Sequence, residues 1–462
     1  MVDIRPEVAL DEPAPPWWEQ AIVVVIITLL TGALVGPIFA PTQEETPILR
    51  LMWLPVYGAT LGLVLLRLDR LWRIWPAALI LLLMVIHAYA SKYWSIDPGV
   101  TTRRTIAFAM SSLFALYLGA RFRGPHLPRI MMIACLLMGV ASLIMVFANP
   151  AIGVHQYENA GLWRGIWYEK NQMGLVMVSG VIAAAACLAT SDNHRLSWSM
   201  ILAWATVGAC TLLVLATQSK TSLLCLILGV GVVAGFWAMR RGGAAFTVVC
   251  IWLGVVIGAL ILYLVITEPA VILKALGKDP SLTGRTDIWT ALMRKVAEKP
   301  WTGFGYQAFW GRTSIPAEWI RRETQWPVPS AHNGWIDLLV QLGWPGAISV
   351  GATMLLVFFV LVARVGGAGA REGYFCLAYF IVFLLLSLSE SVLMTNANLP
   401  WTLLMAALAR CFLPDPQPST RHSPAALDHS GAHRYLTRSR IAANYGHGQF
   451  RRPLPVRRRA RA

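Results

Sequence analysis

The chain has 462 residues, of which 56% are hydrophobic and only 13% are charged. Soluble globular domains carry about 25% charged residues, so this composition excludes an ordinary soluble protein. The formal net charge is +16, but half of it comes from the segment 414–462, where ten arginines face Asp415 and Asp428. Because the excess charge is concentrated in one tail, nucleic acid is not expected as a partner.

Apolar stretches close to the roughly 20 residues that cross a bilayer recur along the chain. Backbone groups in lipid must be satisfied within their own segment, and no stretch alternates like a membrane strand, so these stretches predict helices. The predicted fold is an all-α polytopic membrane protein with twelve transmembrane helices. The twelve stretches are 21–39, 51–66, 75–91, 105–120, 129–148, 171–190, 197–217, 221–239, 245–267, 334–363, 374–390 and 398–413.

These stretches divide the chain into an N-terminal segment (1–20), a transmembrane domain (21–413) and a tail (414–462). If the N-terminus is cytoplasmic, most loop arginines fall on the cytoplasmic side, as the positive-inside rule requires. The tail is then cytoplasmic too. It is rich in Pro, Arg and His and poor in apolar residues, which predicts a disordered segment that lies on anionic lipid.

One long polar interruption, residues 268–331, falls on the outer side in this topology. Connections of this length without secondary structure are uncommon and are usually functional or disordered. This one contains aromatic residues, glycines and an amphipathic stretch that begins at Arg285 and Asp287, with apolar residues at helical spacing. We therefore expect it to be folded and to carry the function.

Two further polar groups are predicted near the outer face. The first is the turn WSIDPGVTTRR, which ends at Arg104; a paired arginine there departs from the positive-inside trend. The second is GLWRGIWYEKNQMG, which places Arg164 and Lys170 among aromatic residues just before a span. Interfacial anchoring alone also explains the aromatic residues and the turn.

Ionisable residues also stand at the ends of outer helices. Lys220 lies in a tight turn between two spans, where it is either a snorkelling lysine or a functional cation. His332 and Asn333 open the span after the long loop, and the histidine is either a polar neighbour of the helix start or a proton acceptor. Glu390 is an ionisable group at membrane depth, which makes it a functional candidate.

The sequence offers neither a metal site nor a nucleotide loop. None of the seven cysteines forms a CxxC pair, no His/Cys cluster has metal-ligand spacing, and Walker and Rossmann motifs are absent. We expect no metal and no cofactor. Cations beside an apolar face suit a lipid-linked phosphate or pyrophosphate, a histidine suits proton transfer, and tryptophans suit sugar faces. Together these features predict a lipid-linked glycan transferase.

Several motifs resemble a known family. SKT, GRTDIW, KPWTGFGYQAFW and AHNGWIDLL, in this order, resemble the O-antigen ligase and Wzy-type polymerase superfamily. WSIDP with the following RR, and YEKNQMG, resemble its exopolysaccharide polymerase branch, the succinoglycan type. The resemblance covers roughly residues 90–400. It implies an all-helical enzyme of the bacterial inner membrane that acts at the periplasmic face without metal or nucleotide.

The resemblance also implies roles for individual residues. Family ligases carry a basic residue after a short outer turn, an arginine early in the long loop and a histidine at its end, which correspond to Lys220, Arg285 and His332. Ligases typically have arginine at the first position. Lysine cannot make a bidentate phosphate contact, so this departure favours a polymerase.

The sequence therefore predicts an inverting glycosyltransferase whose donor is a polyprenyl-pyrophosphate-linked oligosaccharide. Its catalytic residues are His332 and Glu390, and its substrate-binding residues are Arg104, Arg164, Lys170, Lys220, Arg285 and Asn333. Expected partners are this donor, membrane lipid, a chain-length regulator and export proteins. An O-antigen ligase that transfers polymer to lipid A-core, and a flippase or transporter for lipid-linked sugars, remain as alternatives.

Overall fold

The computed structural model describes residues 14–35, 47–157, 159–190, 197–267, 285–364 and 370–413. Within these ranges the chain forms helices and turns, with one isolated antiparallel bridge between Val154 and Trp163. The all-α prediction is confirmed. The helices are α1 (Trp17–Leu30), α2 (Pro47–Leu65), α3 (Leu68–Leu71), α4 (Trp75–Ala90), α5 (Pro98–Arg121), α6 (His126–Ala148), α7 (Pro150–Gly153), α8 (Lys170–Ala189), α9 (Trp198–Thr217), α10 (Lys220–Thr267), α11 (Arg285–Glu298), α12 (Ile315–Thr324), α13 (Gly334–Arg364), α14 (Ala370–Ser389) and α15 (Leu399–Cys411).

Each predicted apolar stretch overlaps a helix. Among the described residues, six helical segments are long and apolar enough to cross a membrane, and five further apolar helices are shorter. The stretches 221–239 and 245–267 both lie on α10, which is broken at Gly243, where φ is 76°. The segments 1–13, 268–284 and 414–462 lie outside the described ranges, so the predictions made for them stay predictions.

Helix α5 begins earlier than the predicted stretch 105–120. Asp97 accepts a hydrogen bond from the Val100 amide at 2.9 Å, and Pro98 occupies the first turn, so the sequence Asp-Pro starts the helix here. Arg104 therefore lies inside the second turn of α5 rather than in a loop.

Helix α8 lies among α6, α9, α10 and α14 and is buried along most of its length. Small residues allow these helices to approach closely. Gly174 lies against Ser222 of α10, and Gly180 lies against Cys135 of α6. The α8 helix is therefore the centre of this part of the bundle, and its first turn is held beside the start of α10.

The direction of the helices shows which residues share one end of the bundle. Helices α10 and α14 run antiparallel, since Gly229 lies against Val382 while the Tyr374 hydroxyl donates to the Phe236 carbonyl at 3.4 Å. The first residue of α10, Lys220, and the end of α14 therefore point to the same end. We call this the site end.

At the opposite end of α5, four side chains form a buried ionic cluster. Glu19 is fully buried and accepts hydrogen bonds from Tyr117 at 2.5 Å, Arg121 at 2.9 Å and Arg67 at 3.0 Å. These contacts join α1, the α2–α3 turn and α5. The sequence interpretation placed residues 1–20 in an N-terminal segment outside the transmembrane domain and did not predict this cluster.

The described part of the long loop, 285–331, is folded, as expected. Helix α11 buries Ile288, Leu292 and Val296 and packs on α13 and α12, so its apolar face lies on the bundle. The turn between α11 and α12 is fixed to the helices by backbone bonds, in which the Phe304 amide donates to Val340 at 2.8 Å and the Ile96 amide donates to Phe304 at 3.1 Å.

Candidate functional site

The site is centred on His332 and Glu390, which lie 58 residues apart in the chain. The Nδ1 atom of His332 faces Oε2 of Glu390 at 3.8 Å, and each side chain is 22% exposed. At this separation the pair is electrostatic rather than a direct hydrogen bond. Both predicted catalytic residues are therefore neighbours at the site end.

The local backbone fixes the position of His332. Its φ angle of 48° is left-handed, a conformation that few non-glycine residues adopt. The next residue, Asn333, caps α13, because its Oδ1 atom accepts from the Trp335 amide at 3.0 Å and the Ile336 amide at 3.2 Å. Asn333 thus holds the histidine at the helix start; substrate binding by its amide stays a prediction.

Aromatic packing fixes the imidazole ring. Trp326 stacks on His332 with an interplanar angle of 2° and ring centroids 5.8 Å apart. The Nε2 atom of His332 is buried and has no hydrogen-bond partner among the described residues. One ring nitrogen therefore faces a carboxylate, while the other has no partner from the described parts of the chain.

Arg285 reaches the same place from α11. Its Nη1 atom donates to the Ser389 carbonyl at 3.1 Å, next to Glu390 in the chain. One turn further along α11, Trp289 Nε1 donates to the Ala331 carbonyl at 2.8 Å, next to His332. The first two turns of α11 therefore contact the backbone beside both members of the pair, and a cation is placed next to the acid and the base.

Arg104 approaches the site end on α5. Thr101, one turn before it, donates to the Tyr306 carbonyl at 3.0 Å, and the Tyr306 hydroxyl donates to the Met394 carbonyl at 2.5 Å. Met394 belongs to the segment that follows Glu390. Burial raises the pKa of the Tyr306 phenol, and the nearby charge of Arg104 opposes this rise.

Lys220 shares the site end but stands on another helix. It is nine residues before the contact of Gly229 with Val382, and Ser389 is seven residues after it. With a rise of 1.5 Å per residue, these positions lie about 13 Å and about 10 Å beyond the contact in the same direction. Lys220 is therefore near the level of Glu390 along the bundle; its role in substrate binding stays a prediction.

Arg164 and Lys170 belong to a different part of the site end. The Arg164 guanidinium donates to the Ile152 carbonyl at 2.7 Å and to the Ala151 carbonyl at 3.4 Å. The Lys170 amide donates to Nε2 of His155 at 3.3 Å. Both residues therefore organise the loop between α6 and α8.

Asp337 is a site-end residue that the sequence interpretation missed. It is buried in the first turn of α13, and its Oδ1 atom accepts from Trp310 Nε1 at 2.5 Å. It follows His332 by five residues in the chain. A carboxylate within the apolar run that follows His332 was the available signal. The bond from Trp310 to Asp337 joins the α11–α12 turn to α13, the helix that begins beside His332.

The described residues contain no group of three or more His, Cys, Asp or Glu that could hold a metal ion. The chemistry that they do bring together is that of a carboxylate, an imidazole and an arginine beside a tryptophan face. This set suits transfer of a proton next to an anionic group.

Comparison with known proteins shows which family this chain resembles. Residues 205–351, which include Lys220, Arg285 and His332, match the family model Wzy_C, described as O-Antigen ligase. The apolar helices suit a multi-pass membrane protein, and this segment is similar to the O-Antigen ligase family model.

The match to one individual protein gives a narrower resemblance than the family model does. The chain is 26% identical over 318 residues to the exopolysaccharide production protein ExoQ of Rhizobium meliloti (strain 1021), and the alignment covers 67% of this chain and 71% of that protein. The resemblance inferred from the sequence motifs is confirmed, both for the O-antigen ligase superfamily and for its exopolysaccharide branch.

Proposed function

We propose that this protein is a glycosyltransferase that polymerises polyprenyl-pyrophosphate-linked oligosaccharide units in exopolysaccharide biosynthesis. The observation that carries the proposal is the meeting of His332, Glu390 and Arg285 at one end of a bundle of apolar helices. The similarity to an exopolysaccharide production protein supports the product class.

The proposed reaction is a single displacement. The hydroxyl of the acceptor sugar attacks the anomeric carbon of the donor, and its proton passes to Nε2 of His332. Glu390, which faces Nδ1 at 3.8 Å, stabilises the imidazolium that forms. A glycosidic bond forms as the bond from the anomeric carbon to pyrophosphate breaks, so the anomeric centre is inverted.

The cations of the site act on the leaving group. Pyrophosphate departs as an anion and needs no proton from a general acid, so a carboxylate pair of the glycosidase type is unnecessary. Arg285, Lys220 and Arg104 hold this anion and stabilise the charge that develops on it. No step of this mechanism requires a metal ion.

The proposed topology places the site end at the periplasmic face of the bacterial inner membrane. It has twelve crossings, cytoplasmic termini, a catalytic domain of residues 21–413 and a periplasmic loop of residues 268–331. One observation supports the orientation: Arg67 and Arg121 lie at the end of α5 opposite Arg104, and arginines concentrate on the cytoplasmic side. Chain-length regulator and export proteins are the proposed partners.

Ligation is the second candidate, since the matched family model is described as O-Antigen ligase. A ligase would transfer finished polymer to lipid A-core. Lys220 favours polymerisation, because lysine binds phosphate as a point charge and cannot supply the bidentate contact of arginine.

Glycan length in a deletion strain separates the candidates. Loss of a polymerase leaves single repeats on the lipid carrier, and loss of a ligase leaves finished polymer on the carrier. Loss of a flippase leaves lipid-linked units on the inner side of the membrane.

Complementation with His332→Ala should lower polymer formation by about 10²- to 10⁴-fold at matched protein level, which is the usual cost of losing a general base. Normal polymer from this strain would exclude the proposed role of His332.

A further inference from the structure

The loop between α6 and α8 encloses a cleft of about 300 Å³ at the site end. This volume is at the small end of the range for ligand pockets, about 300–1,000 Å³. The cleft is separate in its residues from the pair His332 and Glu390. Its lining residues are Ala151, His155, Gln156, Tyr157, Asn159, Arg164 and Glu169.

The walls of the cleft are fixed by the chain itself. The isolated bridge between Val154 and Trp163 closes the loop, and the Trp163 amide donates to the Ala216 carbonyl at the end of α9. His155 is held at the start of α8, where it accepts from the Lys170 amide at 3.3 Å. A loop anchored at both ends presents its side chains in a preorganised form.

Two lining side chains are oriented by backbone carbonyls. Gln156 Nε2 donates to the Pro150 carbonyl at 3.0 Å and to the Val154 carbonyl at 3.1 Å. The amino group therefore faces the backbone, and Oε1 is left as an acceptor. Arg164 uses Nε and Nη2 on the α7 carbonyls, so Nη1 has no hydrogen bond to a described residue. An acceptor and a donor thus remain for a ligand.

The remaining lining residues indicate the chemistry of that ligand. Glu169 lines the same cleft as Arg164, and its Oε2 atom lies 4.0 Å from Nε2 of His155. A cleft that contains a carboxylate is a poor site for pyrophosphate. Asn159 adds an amide with both a donor and an acceptor, and the ring of Tyr157 is 93% exposed. Amide, carboxylate and guanidinium groups around an exposed aromatic ring suit the hydroxyls and the apolar face of a neutral sugar.

We propose that this cleft is a glycan-binding subsite that takes neutral sugar rings, away from the reacting bond. The inference rests on the proposed function and deepens it, because the cleft would hold either the growing acceptor chain or the distal sugars of the lipid-linked donor. Both sources present the same sugar hydroxyls.

Binding of free saccharide tests the proposal without turnover. The probe is the oligosaccharide repeat released by partial hydrolysis of the polymer that the producing strain secretes, titrated against the full chain in nanodiscs. Asn159→Gly removes the amide and tolerates the φ angle of 62°; Gln156→Ala removes the acceptor. Each should weaken binding by about 3- to 10-fold, the usual cost of one hydrogen bond.

The matched control is Gln325→Gly, which likewise replaces an amide side chain by glycine at an exposed left-handed residue, with φ 52°, at the end of α12. Its affinity for the probe should equal that of the wild type, and so should that of His332→Ala. Size-exclusion profiles identify any variant that misfolds. Asn159→Gly alone is decisive if Gln156→Ala does not fold.

Steady-state kinetics, with donor and acceptor each varied to saturation, show whether the cleft binds sugars of the growing chain or of the lipid-linked donor. A raised KM for soluble acceptor in Asn159→Gly places the growing chain in the cleft, and a raised KM for lipid-linked donor places the donor sugars there; kcat should stay near the wild-type value. Unchanged probe affinity in both cleft variants, or unchanged values of both KM, would overturn the subsite. A protein that binds the probe through this cleft but never forms polymer would instead refute the proposed function alone.

Discussion

At the residue scale, His332 illustrates how a short sequence fixes a reactive side chain. The left-handed backbone of His332 is followed at once by the helix cap Asn333, and Trp326 stacks on the ring. Strain of this kind persists only where the surroundings over-determine it, and it is frequent at functional sites. The imidazole is therefore held toward Glu390 before any substrate arrives.

Glu390 can be separated from substrate binding by a conservative change. Glu390→Gln keeps the size of the side chain but removes the charge that stabilises the imidazolium. Two unit charges about 4 Å apart interact by about 1 kcal/mol in water and about 4 kcal/mol near a protein surface. We therefore expect kcat to fall about 10- to 100-fold, while affinity for lipid-linked donor is retained. Steady-state rates and donor titration of the purified enzyme measure both. Weakened donor binding with an unchanged kcat would assign Glu390 to the donor instead.

Two substitutions at Lys220 test whether its positive charge is what matters for donor binding. Lys220→Arg keeps the cation, so it should retain more activity than Lys220→Ala, which should lower both donor affinity and turnover because a phosphate contact is lost. The assay is polymer formed per mole of enzyme over a range of donor concentration. Lys220→Ala with wild-type donor affinity and turnover would exclude the contact.

At the element scale, apolar stretches predicted helices well because the bilayer permits few alternatives. Their ends were harder to predict, since local chemistry sets them. Asp97 and Pro98 start α5 before the apolar run begins, and Gly243 breaks α10 without a change in hydropathy. The packing of α11 on α13 followed from its amphipathic spacing only in part, because spacing shows which face is apolar but not what covers it.

The crossing of α5 and α15 depends on a glycine. A Cβ atom at Gly119 would lie 2.3 Å from the Ala406 carbonyl oxygen and 2.8 Å from the Ala409 side chain. Gly119→Ala should therefore lower the free energy of unfolding by about 1–3 kcal/mol through overpacking. Thermal unfolding in detergent measures the change.

Gly208 in α9 is the matched control, because a Cβ atom there meets nothing within 4 Å. Gly208→Ala should be neutral or slightly stabilising, as alanine is the better helix former. Equal melting temperatures for the Gly119→Ala and Gly208→Ala variants would show that α5 and α15 are not packed as described.

At the scale of the whole molecule, the sequence motifs propose residues for the candidate site but do not show which residues these contact. Arg285 and His332 follow from motif order, but the approach of Glu390 to His332 depends on how α13 and α14 pack, which a single sequence does not contain. The same holds for the bond between Trp310 and Asp337. Glu19 was missed because it lies in the segment 1–20, which the sequence interpretation placed outside the transmembrane domain, although folding buries it.

The ionic cluster around Glu19 should support stability without taking part in catalysis. Arg104 and Arg121 are 17 residues apart on α5, so the cluster lies about 25 Å from the site end along that helix. Glu19→Ala leaves Arg121, which is 6% exposed, as a buried charge without its carboxylate. Breaking a buried pair in this way costs about 3–5 kcal/mol.

We therefore expect Glu19→Ala to lower the melting temperature and the yield of folded protein, while the kcat of the molecules that fold stays close to the wild-type value. Glu298→Ala is the control, because Glu298 is half exposed and pairs with Lys295 on the surface of α11, where an ion pair contributes about 0–1 kcal/mol. Activity per folded molecule, counted by a size-exclusion peak, separates the two effects. A fall in kcat for Glu19→Ala at full folded yield would mean that the two ends of α5 are coupled, and that the site end responds to the charge at the other end of the bundle.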